Sequence, residues 1–281
     1  MIDWRHWHNE PYLVGGLILL AWLYAVLTGP LRGWLEPAAP YPRRQACYFY
    51  SSLLLFYLTV GSPLDQIAER FLLWVHMLQH QLLIYPCAAL FLLGLPEWLV
   101  RPLTVARPLR GPLWFLTRPL VCGLIYILTY SLWHAPGLYE ATLQNKLIHV
   151  FEHLMFFGGA LFYWWPALSP SREFPPLSHP AQMLYQTFVV IGMTPAFAYI
   201  AFADRVLYPT YAYAPRLISD FTPMEDQLLA AVLMKVIGMA VALLVFGRSF
   251  YHWYRATGGA GNGGGQKKDL TAARHPGPDR S

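Results

Sequence analysis

Seven apolar segments, each long enough to cross the roughly 30 Å hydrocarbon core of a bilayer, constrain the fold of this chain more than any other feature. The sequence is 56% hydrophobic and only 12% charged, whereas about a quarter of the residues in a soluble domain are charged. We therefore predict an all-α integral membrane protein, a bundle of seven transmembrane helices. The predicted spans lie near 12–28, 45–61, 71–95, 118–134, 147–167, 181–203 and 226–247.

The distribution of Lys and Arg predicts the orientation of this bundle. Basic residues are concentrated in the loops after spans one, three and five and in the C-terminal tail, and they are sparse on the opposite side. Cytoplasmic segments carry such an excess, so we expect the N-terminus outside and the C-terminus in the cytoplasm. The seven-span domain is predicted to occupy residues 1–255. Residues 256–281 contain GGAGNGGGQKKD and lack an apolar face, and they are predicted to form a disordered cytoplasmic tail.

Two predicted spans each carry a histidine pair, which is the main functional signal in the sequence. Span three contains H-x-x-Q-H at 76–80, and span five contains H-x-x-E-H at 149–153. Residues four apart share one face of a helix, and the predicted topology puts both pairs in the outer third of the membrane, where span four also ends at a histidine. Ionisable groups inside a bilayer are costly and tend to be functional. We predict a metal site with these candidate ligands: His76, His80, His134, His149, Glu152 and His153. The N-terminal His6 and His8 are expected on the same side but with a smaller role.

A bare metal ion bridged by the two helices is predicted at this site in preference to haem. Imidazole suits copper, zinc and haem iron, and histidines four residues apart are too close to serve two separate porphyrins. Thioether sulfur would also suit copper(I), but Met77 and Met155 are predicted to point away from the histidine faces, into the core or the lipid. Glu152 is either a ligand or a hydrogen-bond partner that orients a histidine. A mixed Cys/His site is not expected, because none of the cysteines lies at this depth: Cys47, Cys87 and Cys122.

Three other functions remain open at this point. A haem b-binding membrane redox protein would use one axial histidine from each helix. An intramembrane zinc metallopeptidase would use H-x-x-E-H as an inverted zincin motif with Glu152 as general base, although Gln79 stands at the equivalent place in span three and an amide cannot act as a base. A proton-coupled transporter would use Lys235 in span seven together with the histidines. Alternatively, Lys235 has only a structural role and pairs with a carboxylate such as Glu152 or Asp204, or snorkels to the interface.

The motifs together resemble the CtaG family, a multi-spanning assembly factor found with caa3-type cytochrome c oxidases. The resemblance covers about residues 45–247 and rests on HMLQH (76–80), WHAPGLYEATL (133–143), HVFEHLMFFGGALFYWWP (149–166) and the Thr194–Pro195 step. One departure is Gln81, where a methionine would be expected after the second histidine. The resemblance implies a protein of the bacterial inner membrane that is needed for maturation of haem–copper oxidase, at the step of copper insertion, and it makes copper the expected ion at the histidine cluster.

The resemblance also implies what the protein contacts. Its expected partners are cytochrome c oxidase subunits and a periplasmic copper carrier. The protein is expected to lie in the lipid bilayer and to bind no nucleic acid. The expected role is that of an assembly factor and not of an enzyme.

Overall fold

The computed structural model describes residues 4, 5 and 7–262, and this part of the chain is built from α-helices without β-strands. The first eight helices are α1 (Pro11–Thr28), α2 (Arg32–Leu35), α3 (Arg43–Gly61), α4 (Pro63–Arg70), α5 (Leu73–Leu82), α6 (Ala88–Leu93), α7 (Glu97–Val105) and α8 (Arg107–Leu116). The remaining helices are α9 (Pro119–Trp133), α10 (Pro136–Gln144), α11 (Lys146–Leu168), α12 (His179–Gly192), α13 (Thr194–Ala201), α14 (Pro209–Tyr213) and α15 (Pro223–Asn262). The predicted all-α fold is confirmed.

Five helical segments of the described chain are long and apolar enough to cross a membrane: Pro11–Thr28, Leu73–Leu93, Lys146–Leu168, His179–Ala201 and Pro223–Thr257. Two bent pairs of helices raise the number to seven if each pair is one span. The pair α3–α4 bends by 47° and the pair α8–α9 by 69°. The predicted count of seven is thus the upper end of this range, and its segments coincide with these helices and with α3 and α9.

The bend between α3 and α4 has a local cause and a functional consequence. The Ser62 hydroxyl caps α4 by accepting a hydrogen bond from the backbone N–H of Leu64 at 3.4 Å, and Pro63 follows at the first helical position, where it is well tolerated. The chain therefore starts a new helix instead of leaving the bundle. Asp65 and Glu69, four residues apart on α4, are thereby brought close to His149 on α11.

The third span is also irregular, and this irregularity fastens it to α11. A π-helical turn, Leu83–Cys87, joins α5 to α6 and contains Pro86, which cannot donate a backbone hydrogen bond. The indole N–H of Trp164 donates to the carbonyl of Ile84 in this turn at 2.9 Å. Helix α11 therefore packs against the turn and α6, and this brings its histidine motif close to that of α5 in the same span.

The ends of the helices define two ends of the bundle. We call the end where α11 begins the Lys146 end. The ammonium of Lys146 pairs there with the carboxylate of Glu10, just before α1, and the backbone N–H of His8 donates to the carbonyl of Gly61 at the end of α3. The last helix runs through residues 256–262, beyond the predicted domain limit at 255. The rest of the predicted disordered tail, 263–281, lies outside the described residues, as does His6.

The orientation of the bundle can be tested with reporter fusions. Because basic residues are concentrated at the C-terminal side, a fusion after Arg255 should report a cytoplasmic location, and one at Lys146 should report a periplasmic location. The measurement is the activity of paired reporters that work on only one side of the membrane. The opposite pattern would put the histidines of α5 and α11 near the cytoplasm, which contradicts copper delivery from the periplasm.

Candidate metal centre

Helix α5 positions two histidines of the site. His76 and His80 are fully buried, and their Nε2 atoms lie 3.0 Å apart. The start of α5 is held by the buried carboxylate of Asp226 on α15, which accepts hydrogen bonds from the backbone N–H groups of Leu73 and Trp74, both at 2.9 Å. The first backbone donors of a helix have no partner within the helix, so Asp226 takes the place of a local cap and sets the position of α5.

Helix α11 positions the other half of the site. Asn145 caps it by accepting hydrogen bonds from the backbone N–H groups of Leu147 and Ile148 at 2.9 and 3.4 Å. About one turn after Ile148, Glu152 lies opposite both histidines of α5. Its Oε2 is 3.8 Å from His76 Nε2, and its Oε1 is 3.7 Å from His80 Nε2.

Four side chains thereby converge on one point. A set of donor atoms, one from each of His76, His80, Glu152 and His153, lies within 4.8 Å of one another. We call these four residues the inner cluster. Donor atoms held about 2.0–2.2 Å from a tetrahedral metal ion, as for zinc with nitrogen or oxygen ligands, must lie about 3.3–3.6 Å from each other, so distances of 3.0 to 3.8 Å between these groups fit a single ion.

The inner cluster contains buried polar atoms that lack hydrogen bonds. Both carboxylate oxygens of Glu152, Nδ1 of His80 and Nε2 of His153 have no partner among the described residues. A buried polar group left unsatisfied costs about 1–3 kcal/mol, and more if it is charged. A cation bound between these groups would satisfy the donor atoms that face it, so the donor set fits a metal ion.

A tyrosine from α14 determines which nitrogen of His76 faces the cluster. The Tyr211 hydroxyl donates to the carbonyl of Ala68 at 2.7 Å and lies 3.2 Å from His76 Nδ1. Because the single hydroxyl proton is used by the carbonyl, Tyr211 accepts a hydrogen bond from Nδ1–H of His76. Neutral His76 then presents the lone pair of Nε2 to the cluster, which is the form that binds a metal.

His149 is a predicted ligand that the structure places in a neighbouring group. Its Nδ1 lies 2.5 Å from Glu69 Oε1, and donor atoms of Asp65, Glu69 and His149 lie within 4.8 Å of one another. We call these three residues the rim cluster. The His149 ring is still close to the inner cluster, with its centroid 4.3 Å from that of His153 and 5.3 Å from that of His76. The two groups are thus adjacent.

His134, the remaining predicted ligand, lies on the other side of the inner cluster. Its ring centroid is 5.9 Å from that of His80. His134 Nδ1 lies 2.7 Å from the carbonyl of Tyr130, and Nε2 lies 3.2 Å from the Sδ atom of Met77. Met77 was predicted to point into the core or the lipid and is buried in the core with 1% exposure, but its sulfur contacts a candidate ligand that comes from another helix. Met155 is exposed on the surface of the bundle.

Polar groups from α4 and the N-terminal segment connect the rim cluster to α5. The Gln79 amide donates to the carbonyl of Thr59 at 2.7 Å and to Asp65 Oδ1 at 3.0 Å. His8 Nδ1 lies 2.8 Å from Asp65 Oδ2, and this hydrogen bond raises the pKa of His8 above its ordinary value. Gln79 of the H-x-x-Q-H motif therefore holds an aspartate in place.

Sequence reasoning missed four residues of the centre: Asp65, Glu69, Tyr211 and Asp226. Asp65 and Glu69 had a signal, because they are two carboxylates four residues apart directly after a predicted span. Tyr211 and Asp226 had none, because they reach the site from distant parts of the chain.

Two other predicted features lie elsewhere. The Lys235 ammonium donates to the Thr194 hydroxyl at 2.8 Å and to the carbonyl of Val190 at 3.4 Å, so its polar contacts are with neither Glu152 nor Asp204. Cys87 donates to the carbonyl of Ser52 at 3.3 Å.

Comparisons with known proteins assign the chain to a family. A model of the family described as cytochrome c oxidase caa3 assembly factor (Caa3_CtaG) matches residues 22–256, which is more than half of the chain. No curated protein and no solved structure matches. The family match includes both histidine motifs and every residue of the inner and rim clusters. The chain belongs to the caa3-type cytochrome c oxidase assembly factor family, CtaG.

Proposed function

We propose that this protein assists the maturation of haem–copper cytochrome c oxidase by holding a copper ion at the inner cluster and handing it on. The family supports the oxidase as the target. The observation that carries the copper proposal is the convergence of three imidazoles and one carboxylate, all buried, in which both carboxylate oxygens of Glu152 lack hydrogen bonds. Imidazole nitrogen is a good ligand for copper, and copper is here the cargo of the protein.

The residues around the cluster suit a carrier that limits the exchange of its ion with bulk water. His76, His80 and Glu152 have no exposed surface, so chelators and oxidants could reach the ion only from the side of His153. Tyr211 keeps His76 in the ligand form, and Asp226 fixes the helix that carries both His76 and His80. Release would then depend on a partner that opens the site, for which an oxidase subunit or a copper carrier is the natural candidate.

A peptidase is less well supported by this arrangement. Catalytic zinc keeps one coordination position open for water, whereas here four protein donors face one point and Glu152 lies between two histidines at nearly equal distances. We propose that Glu152 is a ligand and that the protein is not an enzyme. Its location would be the bacterial inner membrane, with the site near the periplasmic face.

Metal analysis together with an optical spectrum tests the proposal. The full-length protein, purified in detergent and loaded with copper, should retain a stoichiometric amount of copper and show no Soret band. A Soret band in the protein as isolated would favour a haem carrier. Stoichiometric zinc that copper does not displace, accompanied by cleavage of a membrane substrate, would favour the peptidase.

A further inference from the structure

A cavity of about 670 Å³ lies between α1, α3 and α11. Most of its wall is apolar, but polar side chains line its Lys146 end: His8, Glu10, Asp65, Glu69, Lys146, His149 and His153. A water molecule occupies about 30 Å³ of liquid, so this space can hold a hydrated ion. The polar end of the cavity borders the rim cluster and reaches one member of the inner cluster.

The rim cluster has the composition of a metal site. It combines two carboxylates and one imidazole whose donor atoms lie within 4.8 Å. Asp65 and His149 are 3% and 4% exposed, while the side chain of Glu69 is 22% exposed. Carboxylates from two residues four apart on α4 meet the histidine of α11 here, so the site is held by two helices. One group is accessible and the others are buried.

The inner cluster is accessible from the same cavity through His153. This residue is 6% exposed and lines the cavity, and its Nε2 has no hydrogen bond among the described residues. The ring of His153 lies next to that of His149, with centroids 4.3 Å apart. An ion that enters the cavity at the Lys146 end therefore meets the rim cluster before it reaches His153.

We propose that the rim cluster is a second metal site, which binds a divalent transition-metal cation on its way from the cavity to the inner cluster. The two carboxylates of Asp65 and Glu69 together balance the charge of a divalent ion, and the mixed oxygen and nitrogen donors suit such ions. Asp65 Oδ2 contacts His8, and Asp65 Oδ1 accepts a hydrogen bond from Gln79. The bound ion would therefore displace His8 from this carboxylate or bind beside it. The proposal that the ion passes from the rim cluster to the inner cluster rests on the proposed function of the inner cluster.

The experiment is a titration of the purified full-length protein with Cu²⁺, followed by electron paramagnetic resonance. The wild-type protein should show two Cu²⁺ signals: one with a single imidazole nitrogen from the rim cluster and one with three imidazole nitrogens from the inner cluster. Asp65→Asn and Glu69→Gln should each weaken the rim signal by at least about tenfold in affinity, since even residues that only support a ligand contribute about 10–100-fold. In both variants the inner signal should persist and should develop more slowly.

Two further variants complete the design. His80→Ala should remove the inner signal and leave the rim signal. Glu225→Gln is the control, because Glu225 is an exposed carboxylate at the start of α15 that bonds to Thr222 and lies outside the cavity lining; it should leave both signals unchanged. If Asp65→Asn fails to fold, Glu69→Gln alone carries the test, since the Glu69 side chain is partly exposed.

The outcomes separate the two proposals. Retention of both signals at wild-type affinity in Asp65→Asn and Glu69→Gln would show that the rim cluster binds no ion. A single inner signal that is indifferent to Glu69→Gln would refute the rim site and leave the proposed function standing. A single rim signal that is lost in Glu69→Gln and kept in His80→Ala would support the rim site and refute the proposed function.

Discussion

Replacing His80 or His153 by alanine is expected to abolish copper retention at the inner cluster and to lower cytochrome c oxidase activity, while the protein itself stays in the membrane. His80 Nε2 lies 3.0 Å from His76 Nε2 and 3.7 Å from Glu152, so its removal opens the buried side of the inner cluster. His153 is the member that borders the cavity. Groups that only support a ligand contribute about 10–100-fold in metal affinity or activity, and loss of a direct ligand should have at least that effect.

The measurement is copper per protein and oxidase activity in membranes that contain each variant. His252→Ala is a matched control, since His252 is an exposed histidine on α15 that stacks on His179, away from both clusters. Added copper in the medium should restore part of the oxidase activity if the affinity has fallen while the fold is intact. Wild-type copper content and oxidase activity in all four single variants would show that these histidines are structural. The four variants are His76→Ala, His80→Ala, His149→Ala and His153→Ala.

The meeting of the histidine motifs of α5 and α11 could be predicted from the sequence, because the face on which a residue lies depends only on short-range helical periodicity. Two histidines four residues apart must share a face of a helix, and two such helices in an apolar chain have few ways to satisfy those faces except against each other. The same reasoning identified Glu152, which lies three positions after His149 and therefore close to the same face. Long apolar segments likewise predict helices, because every backbone polar group in lipid must find its partner inside the segment.

The separation of His149 from the inner cluster was not predictable in this way. Periodicity places His149 and His153 on one face, but it does not say which residues of other helices that face meets. In the structure α4 turns inward after Ser62 and supplies Glu69, whose Oε1 lies 2.5 Å from His149 Nδ1. A bend in another part of the chain therefore places His149 and His153 of the H-x-x-E-H motif in different clusters. This bend depends on tertiary packing as well as on its capping residues.

Met77 shows a second limit of helical periodicity. Its angle from the histidine face of α5 indicated a position in the core or against the lipid, and from this we expected no contact with the site. However, a buried position on one helix is surrounded by residues from others, and His134 approaches Met77 from the end of α9 with its Nε2 3.2 Å from the sulfur. The direction of a side chain on its own helix helps to predict whether the side chain is buried. It does not predict which residues of other helices the side chain contacts.

Asp226 is the clearest case of a residue whose importance only the structure reveals, and its replacement should have the second large effect. Asp226→Ala removes the acceptor for the backbone N–H groups of Leu73 and Trp74. Asp226 is fully buried, so little water is available to replace it. A buried donor left without a partner costs about 1–3 kcal/mol. We therefore expect a lower thermal unfolding midpoint in detergent.

The same variant should also weaken copper binding, because the loss occurs at the start of the helix that carries the site. His76 is only a few residues beyond Leu73, so fraying of the first turn of α5 displaces one ligand of the inner cluster and its contact with Tyr211. Asp226→Asn keeps one acceptor oxygen and should lie between the wild type and Asp226→Ala in both measurements. Glu225→Gln is the control, since this neighbouring residue is exposed and contacts only its own helix start through Thr222 in the described structure. Equal unfolding midpoints and equal copper affinity for Asp226→Ala and Glu225→Gln would show that α5 is positioned by packing alone, and that the buried carboxylate has no part in holding the metal centre.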